Sequence, residues 1–199
     1  MTFSEYQELA MRTQAINEDK HDMLIHAVCG LSSEIGEINQ EYSALLRTQN
    51  NDGFQVKYDP FNIDRVLSEL GDLCWFQAEL CKALDINLYY MNLDYVTISN
   101  FENLSKEDSI DKLGYYIDNL TVLIGLIAGA VQKTYQGKKI NIDDIHYINQ
   151  IMLIEINTIA VYLNSSLEKV WEHNIEKLKK RFPEGFSEDL DAHRKEGDL

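Results

Sequence analysis

Residues 24–45 read LIHAVCGLSSEIGEINQEYSAL, and residues 63–84 read IDRVLSELGDLCWFQAELCKAL. In both stretches, core-type side chains recur in steps of four and three residues, the spacing of a helix with one buried face. These positions are Leu24, Val28, Leu31, Ile35, Ile38, Tyr42 and Leu45 in the first stretch, and Val66, Leu70, Leu73, Gln77, Leu80 and Leu84 in the second. The pattern predicts two amphipathic helices, over about 22–47 and 63–84, joined by a polar loop at 48–59.

The remaining chain predicts further helices and no strand of useful length. Their approximate bounds are 4–15, 88–99, 113–135, 141–164 and 166–180, with Asn141 or Asp143 and Ser165 or Ser166 as alternative N-caps. The helix over 113–135 is apolar almost all round, so we expect it at the centre of the core. The sequence thus predicts an all-α helical bundle in a single domain, 1–199, with a polar tail at 182–199.

The composition excludes several classes of protein. A formal net charge of −15 disfavours nucleic acid as a partner, because that affinity depends on Lys and Arg neutralising phosphates. The three cysteines lie within apolar helical patterns, which favours neither a disulfide framework nor a zinc site. With no signal-peptide pattern and no apolar run near ~20 residues, we expect a soluble cytoplasmic protein without a membrane partner.

Four carboxylates flank the two apolar stripes. Glu34 and Glu37 are three residues apart on the first helix, as are Glu69 and Asp72 on the second, so each pair occupies one helix face. Antiparallel packing would bring the pairs together at the edge of the core, with Glu41 and Glu79 extending the two faces. Such like charges repel unless a cation lies between them, and hard oxygen ligands suit Mg²⁺ or Mn²⁺.

A simpler interpretation of each carboxylate pair is an ordinary solvated helix face. Three glycines argue against it, because Gly30, Gly36 and Gly71 each cost about 1 kcal/mol in a helix interior relative to alanine. A glycine at such a position lets another helix or a ligand come close. A basic cluster for an anionic substrate occurs at Lys177, Lys179, Lys180 and Arg181, although these residues could equally cap a helix C-terminus.

Three sequence words resemble the MazG-like family of all-α nucleoside triphosphate pyrophosphohydrolases. The words GLSSEIGEI at 30–38 and LSELGDLCWFQAELCKALDI at 67–86 look like the two core helices of that family, with its Glu-x-x-Glu and Glu-x-x-Asp pairs. The word NIEKLKKRFPEGFS at 174–187 is similar to its C-terminal signature. The chain departs from compact members by a much longer segment between the second and third words.

The resemblance implies Mg²⁺-dependent hydrolysis of a (deoxy)nucleoside triphosphate to the monophosphate and pyrophosphate, with Mn²⁺ as a possible substitute. It implies four metal ligands, Glu34, Glu37, Glu69 and Asp72, and either Glu34 or Glu37 as the general base. Phosphate contacts would come from Asn174, Lys177 and Arg181. His26 could line the base or sugar pocket, although an ordinary partly buried histidine is the more expected role.

A weak internal repeat suggests a fused pseudo-dimer. A slide of 95 residues lays Gly125-Leu126 on Gly30-Leu31, and a slide of 79 lays Leu163 and Leu167 on Leu84 and Leu88. The halves would be 1–99, carrying the carboxylates, and 105–181. These offsets put Gly129, Gln132, Ile148 and Ile151 where the four carboxylates stand, so the second half would lack a metal site. We expect a monomeric pseudo-dimer or a homodimer.

Two other classes of protein compete with the hydrolase. A di-iron carboxylate bundle requires two Glu-x-x-His motifs on different helices, and this sequence has just one, Glu18 to His21. The stronger alternative is a non-catalytic helical module that binds nucleotide or metal in a regulatory role. The preferred base and sugar stay open, because they depend on the shape of a pocket.

Overall fold

The computed structural model describes residues 1–14, 19–50, 61–88 and 106–186. All regular secondary structure in these ranges is helical, which confirms the all-α class. The α-helices are α1 (Phe3–Ala10), α2 (Lys20–Asn50), α3 (Ile63–Ala83), α4 (Lys106–Gln132), α5 (Ile142–Tyr162) and α6 (Leu167–Arg181). Short 3₁₀ turns follow α1 at Met11–Thr13 and α4 at Lys133–Gln136. The predicted helix at 88–99 and most of the predicted loop and tail lie outside the described residues.

Side-chain caps fix where the helices begin. The Thr2 hydroxyl accepts from the Glu5 amide at 3.2 Å, while the Glu5 carboxylate accepts from the Thr2 amide. Asn62, Asn141 and Ser166 each accept a backbone N–H from the first turn of α3, α5 and α6. The structure therefore selects Asn141 and Ser166 from the alternatives that the sequence left open.

The helices α2 and α3 pack antiparallel along their length. Contacts between them run from Glu37 with Arg65 at one end to His26 with Glu79 at the other, so the numbers fall on one helix as they rise on the other. Helix α4 packs on α2 and on α5, and α6 packs on α3. This arrangement puts α3 between α2 and the C-terminal helix α6.

The expectation of a central α4 is wrong. The side chains of Val122 and Leu126 are 62% and 55% exposed, so one face of α4 looks outward. The opposite side of α4 does enter the core, where Leu120 and Ile127 are fully buried, so α4 lies at the edge of the core with one covered face. The segment Ile110–Gln136 is long and apolar enough to cross a membrane by composition alone, with a mean hydropathy of 1.4. Core helices of soluble proteins can have the same composition, but they are mostly buried, whereas 33% of the most apolar stretch of this helix is buried.

Helices α3 and α5 correspond residue by residue at an offset of 79. Adding 79 to the bounds of α3, 63 and 83, gives those of α5, 142 and 162, and the N-caps Asn62 and Asn141 obey the same shift. Both helices end at a left-handed residue, Asp85 (φ 54°) and Asn164 (φ 58°). In both cases the next amide then donates 2.8 Å back to a carbonyl five residues earlier.

The offset of 95 between α2 and α4 is wrong. It pairs Leu31, which is 0% exposed, with Leu126, which is 55% exposed. An offset of 89 instead places Leu31 on Leu120, also 0% exposed. Under the offsets of 89 and 79, Gly30 corresponds to Asn119 and Phe76 to Glu155. The first pair approaches closely between α2 and α3, and the second pair forms a hydrogen bond between α4 and α5. Because α4 is apolar almost all round, its sequence does not distinguish the two registers, whereas the burial of its side chains does.

Gly71 controls how closely α3 approaches α6. A Cβ atom at Gly71 would lie 2.9 Å from the Asn174 Cβ, whereas one at Gly36 would meet nothing within 4 Å. We expect Gly71→Ala to lower the free energy of unfolding by about 1–3 kcal/mol through overpacking. The matched variant Gly36→Ala should raise it by roughly 0.5–1 kcal/mol, because only the helix propensity changes. Urea denaturation without metal measures both; equal effects would contradict the close packing.

Candidate metal centre

Three of the four predicted metal ligands meet between α2 and α3. One carboxylate oxygen from each of Glu34, Glu69 and Asp72 lies within 4.8 Å of the other two. Glu69 is only 3% exposed, and Glu34 and Asp72 are half-buried. The antiparallel packing creates this arrangement, because it sets Glu34 of α2 against the face of α3 that carries both Glu69 and Asp72. We call these three residues the carboxylate trio.

Burial and mutual repulsion favour the protonated forms of Glu34 and Glu69. Desolvation, with added repulsion from Asp72, Glu69 and Glu37, raises the pKa of Glu34 to about 8. Desolvation also raises the pKa of Glu69, again reinforced by neighbouring carboxylates. A bound cation would relieve both effects.

The trio is chemically suited to Mg²⁺ or Mn²⁺. Its donors are carboxylate oxygens, the ligand type that these hard ions prefer. The buried Oε1 atom of Glu69 has no hydrogen-bond partner among the described residues. A buried polar atom left in this state calls for a ligand, an ion or a water. The donor set fits a divalent ion, and so does this oxygen, which has an ion pair with Arg65 at 3.6 Å but no hydrogen bond within the described residues.

Glu37, the fourth predicted ligand, is engaged by a residue that the sequence interpretation missed. Its Oε2 atom lies 3.4 Å from Nη2 of Arg65, whose Nη1 is 3.2 Å from Oε1 of Glu41. The Nε atom of Arg65 is 3.6 Å from Oε1 of Glu69. A guanidinium therefore lies between Glu37 and the trio and supplies fixed positive charge. The spacing of Arg65 and Glu69, four residues apart on one helix, was the available signal.

The helix α6 supports the trio through Asp72. Lys177 Nζ lies 2.5 Å from Oδ2 of Asp72 and donates to the Ser68 hydroxyl at 3.0 Å. Asn174 donates from Nδ2 to the other Asp72 oxygen at 2.9 Å, and its Oδ1 accepts from the Tyr6 hydroxyl at 2.9 Å. Both oxygens of Asp72 are thus held in place by α6.

Asn174 serves Asp72 rather than the open face of α6. It is 1% exposed, and both the NH₂ group and the carbonyl oxygen of its side-chain amide form hydrogen bonds. Burial raises the pKa of its partner Tyr6 well above the usual range, so that hydroxyl stays protonated and able to donate. Sequence spacing cannot reveal Tyr6, which lies 168 residues from Asn174.

Arg181 ends α6 one turn after Lys177. Its side chain is half-exposed, and it has no ion pair with a carboxylate within the described residues. With Lys179 and Lys180 it makes the last turn of α6 basic. Because Lys177 and Arg181 are one turn apart, they lie on the same side of α6, the side from which Lys177 contacts Asp72.

His26 and Glu79 form a separate pair, so the expectation that Glu79 extends the carboxylate face is wrong. The Nδ1 atom of exposed His26 lies 2.7 Å from Oε2 of buried Glu79, whose Oε1 accepts from Gln14 at 3.0 Å. This hydrogen bond raises the pKa of His26. The rings of Trp75 and Phe76 lie 6.1 and 5.5 Å from the imidazole. His26 precedes Glu34 by eight residues, about 12 Å along α2.

Comparison of the chain with known protein families, with curated proteins and with solved structures found no match. No relative therefore assigns a role to the trio, to Arg65 or to Lys177. The resemblance to MazG-like proteins rests on the three sequence words, and the chemistry of the site follows from its own residues.

The raised pKa of Glu34 predicts how stability depends on pH. Between the usual value of 4.5 and about 8, the folded protein holds a proton on Glu34 that the unfolded chain releases. The free energy of unfolding of the metal-free protein should therefore fall as pH rises through this window. We expect a higher urea midpoint at pH 6 than at pH 8, and Mn²⁺ or Mg²⁺ should restore stability at pH 8.

The variant Glu34→Gln separates this effect from other titrating groups. It should flatten the pH dependence and weaken the stabilisation by metal, whereas Glu155→Gln, which removes another carboxyl with a raised pKa, should leave the metal effect intact. A wild-type midpoint that rises from pH 6 to pH 8 without metal would contradict the electrostatics of the trio.

Proposed function

We propose that this chain is a Mg²⁺-dependent nucleoside triphosphate pyrophosphohydrolase of the MazG-like type, producing a monophosphate and pyrophosphate. The observation that carries the proposal is the carboxylate trio with Lys177 and Arg181 beside it. Glu34, Glu69 and Asp72 supply oxygen ligands for a divalent ion, and the cations of α6 supply contacts for phosphate oxygens. The three sequence words supply the reaction type.

The residues of the site divide into distinct roles. Bound to the trio, Mg²⁺ would neutralise phosphate oxygens of the substrate. Lys177 and Arg181 would orient the triphosphate, and Asn174 would keep Asp72 in its ligating position through the hydrogen bond from Nδ2. Because the whole chain carries a formal charge of −15, these local cations are needed to admit an anionic substrate.

We assign the general base to Glu37. Glu34 belongs to the trio, so its oxygens would be occupied by the ion. Glu37 lies one turn further along α2 and is held by Arg65 outside the trio, with its side chain 29% exposed. A carboxylate beside the metal ligands but not among them can accept a proton from an attacking water. His26 and the rings of Trp75 and Phe76, which lie farther along α2 and α3, are candidates for contacts with the nucleoside.

We further propose that the two halves, 1–99 and 105–181, arose by duplication and that only the first is functional. The matched ends of α3 and α5 support this proposal. The offsets of 89 and 79 place four apolar residues where the predicted ligands stand in the first half, namely Leu123, Leu126, Ile148 and Ile151. One chain would then carry one site.

One observation favours the non-catalytic alternative. Lys177 pairs with Asp72, and Arg65 lies within 4 Å of oxygens of Glu37, Glu41 and Glu69. Such internal counter-charges are what a helical module needs if its acidic residues have no metal to neutralise them. A binding module would bind nucleotide or metal without releasing pyrophosphate.

Pyrophosphate release separates the two functions. We expect the protein to release pyrophosphate from at least one member of a panel of canonical and modified (d)NTPs, and only with Mg²⁺ or Mn²⁺ present. Glu69→Ala removes a buried trio ligand and should lower kcat/KM by more than about a hundredfold, beyond the loss typical of residues that only support a ligand. Glu172→Ala, on the exposed side of α6, should retain activity. A folded, metal-loaded protein inactive on every nucleotide would favour the binding module.

Lys177 should act on phosphate binding more than on metal binding. A charged hydrogen bond is worth about 1.5–3 kcal/mol, so Lys177→Met should raise KM roughly 10- to 100-fold. The Kd for Mn²⁺ measured by calorimetry should rise by less than about threefold, because the three carboxylates remain. Lys180→Met, which removes an exposed cation from the same helix, is the matched control. Loss of Mn²⁺ binding in Lys177→Met would show a purely structural role.

A further inference from the structure

The outward face of α4 carries one continuous stripe, which extends into the first residue of the following 3₁₀ turn. The α4 stripe consists of Asp111, Tyr115, Asp118, Val122, Leu126, Gly129 and Lys133. It lies opposite the buried side of the helix, which consists of Leu113, Ile117, Leu120, Ile124, Ile127 and Val131. Its three large apolar members, Tyr115, Val122 and Leu126, are 61%, 62% and 55% exposed.

The spacing of the α4 stripe reads the same from both ends. The steps from Asp111 to Lys133 are four, three, four, four, three and four residues, with Val122 at the centre. A second copy of the helix, placed antiparallel about a two-fold axis at Val122, would therefore match the stripe position for position. Asp111 then faces Lys133, Tyr115 faces Gly129, and Val122 faces itself.

We propose that the α4 stripe is the interface of an antiparallel homodimer of this chain. Charge complementarity supports this interface. Asp111, at the start of the stripe, would face Lys133 of the partner subunit, at the end of the partner's stripe, and the two-fold axis would form this ion pair twice. Shape supports it as well. A Cβ atom at Gly129 or Gly125 would meet nothing within 4 Å, so the helix surface is open there to receive a partner side chain. The exposed ring of Tyr115 is the side chain positioned to fill it.

One position of the stripe opposes association. Asp118 faces Leu126 across the axis, so its carboxylate would lose water without gaining a cation. The dimer should therefore depend on protein concentration rather than persist at all dilutions. The same mismatch provides a variant that strengthens the interface, since Asp118→Leu replaces the unmatched charge with an apolar side chain.

A second copy fits the stripe better than a lipid surface does. The composition of Ile110–Gln136 would allow a membrane span, but 33% of its most apolar window is buried against the rest of the protein. Insertion of the exposed side would also carry the charge of Asp118 toward hydrocarbon, which strongly disfavours charged side chains. A copy of the chain instead offers a counter-charge for Asp111 and for Lys133.

Sedimentation velocity over a wide range of concentrations tests the proposal on the full chain. We expect a monomer–dimer equilibrium, with the dissociation constant raised at least tenfold by Val122→Asp, because the axis sets two added carboxylates against each other. Tyr147→Asp alters an equally exposed residue of α5, 67% exposed, and should leave the equilibrium unchanged. Circular dichroism melts establish that both variants fold.

A charge swap tests the pairing itself. Asp111→Lys and Lys133→Asp should each weaken the dimer, and the double variant should restore it, while Asp118→Leu should tighten it. A protein that stays monomeric throughout, or a dimer indifferent to Val122→Asp, would overturn the proposal. So would a double swap that fails to restore association. Flotation of the monomer with phosphatidylcholine–phosphatidylglycerol vesicles, abolished by Val122→Asp, would overturn it in favour of a lipid surface.

Discussion

The burial of the Glu69 carboxylate between α2 and α3 is the constraint on which the site depends. A carboxylate 3% exposed is costly unless charge and hydrogen bonds compensate it. Arg65 reaches it from one turn away on α3, and Lys177 lowers its pKa from α6 while repulsion and burial raise it. These cations leave Oε1 of Glu69 without a hydrogen bond within the described residues. On the proposed function, a divalent ion bound to the trio would complete this arrangement.

Distant parts of the chain build this one site. Asn174 binds Asp72 across 102 residues of sequence, and Tyr6 binds Asn174 across 168. The absence of a side chain at Gly71 lets α6 come close enough for the first of these bonds. Ligand geometry is therefore coupled to the docking of α1 and α6. On the proposed function, the same docking presents Lys177 and Arg181 to the triphosphate.

On the proposed duplication, the two halves share a framework but differ in chemistry. Helices α3 and α5 begin and end alike, yet the apolar residues Ile148 and Ile151 stand in the second half where Glu69 and Asp72 stand in the first. On the same correspondence, Leu126 takes the position of Glu37. Leu126 also belongs to the α4 stripe, so the stripe includes one of the positions at which the second half lacks a carboxylate. Loss of a metal site in one half would free its surface for association, and the two proposals describe two uses of one framework.

The sequence by itself determined the all-helical class, most of the helices and the grouping of three carboxylates. Periodicity and caps are local properties, so the bounds of α3, α5 and α6 and the grouping of Glu34, Glu69 and Asp72 could be predicted. Local patterns could not show that Arg65 engages Glu37, that His26 engages Glu79, or that Asn174 is buried beneath Asp72. They also misplaced α4, because an apolar helix has the same period whether its neighbours cover it or not. Only tertiary packing decides exposure and long-range pairing, since both depend on which helices meet.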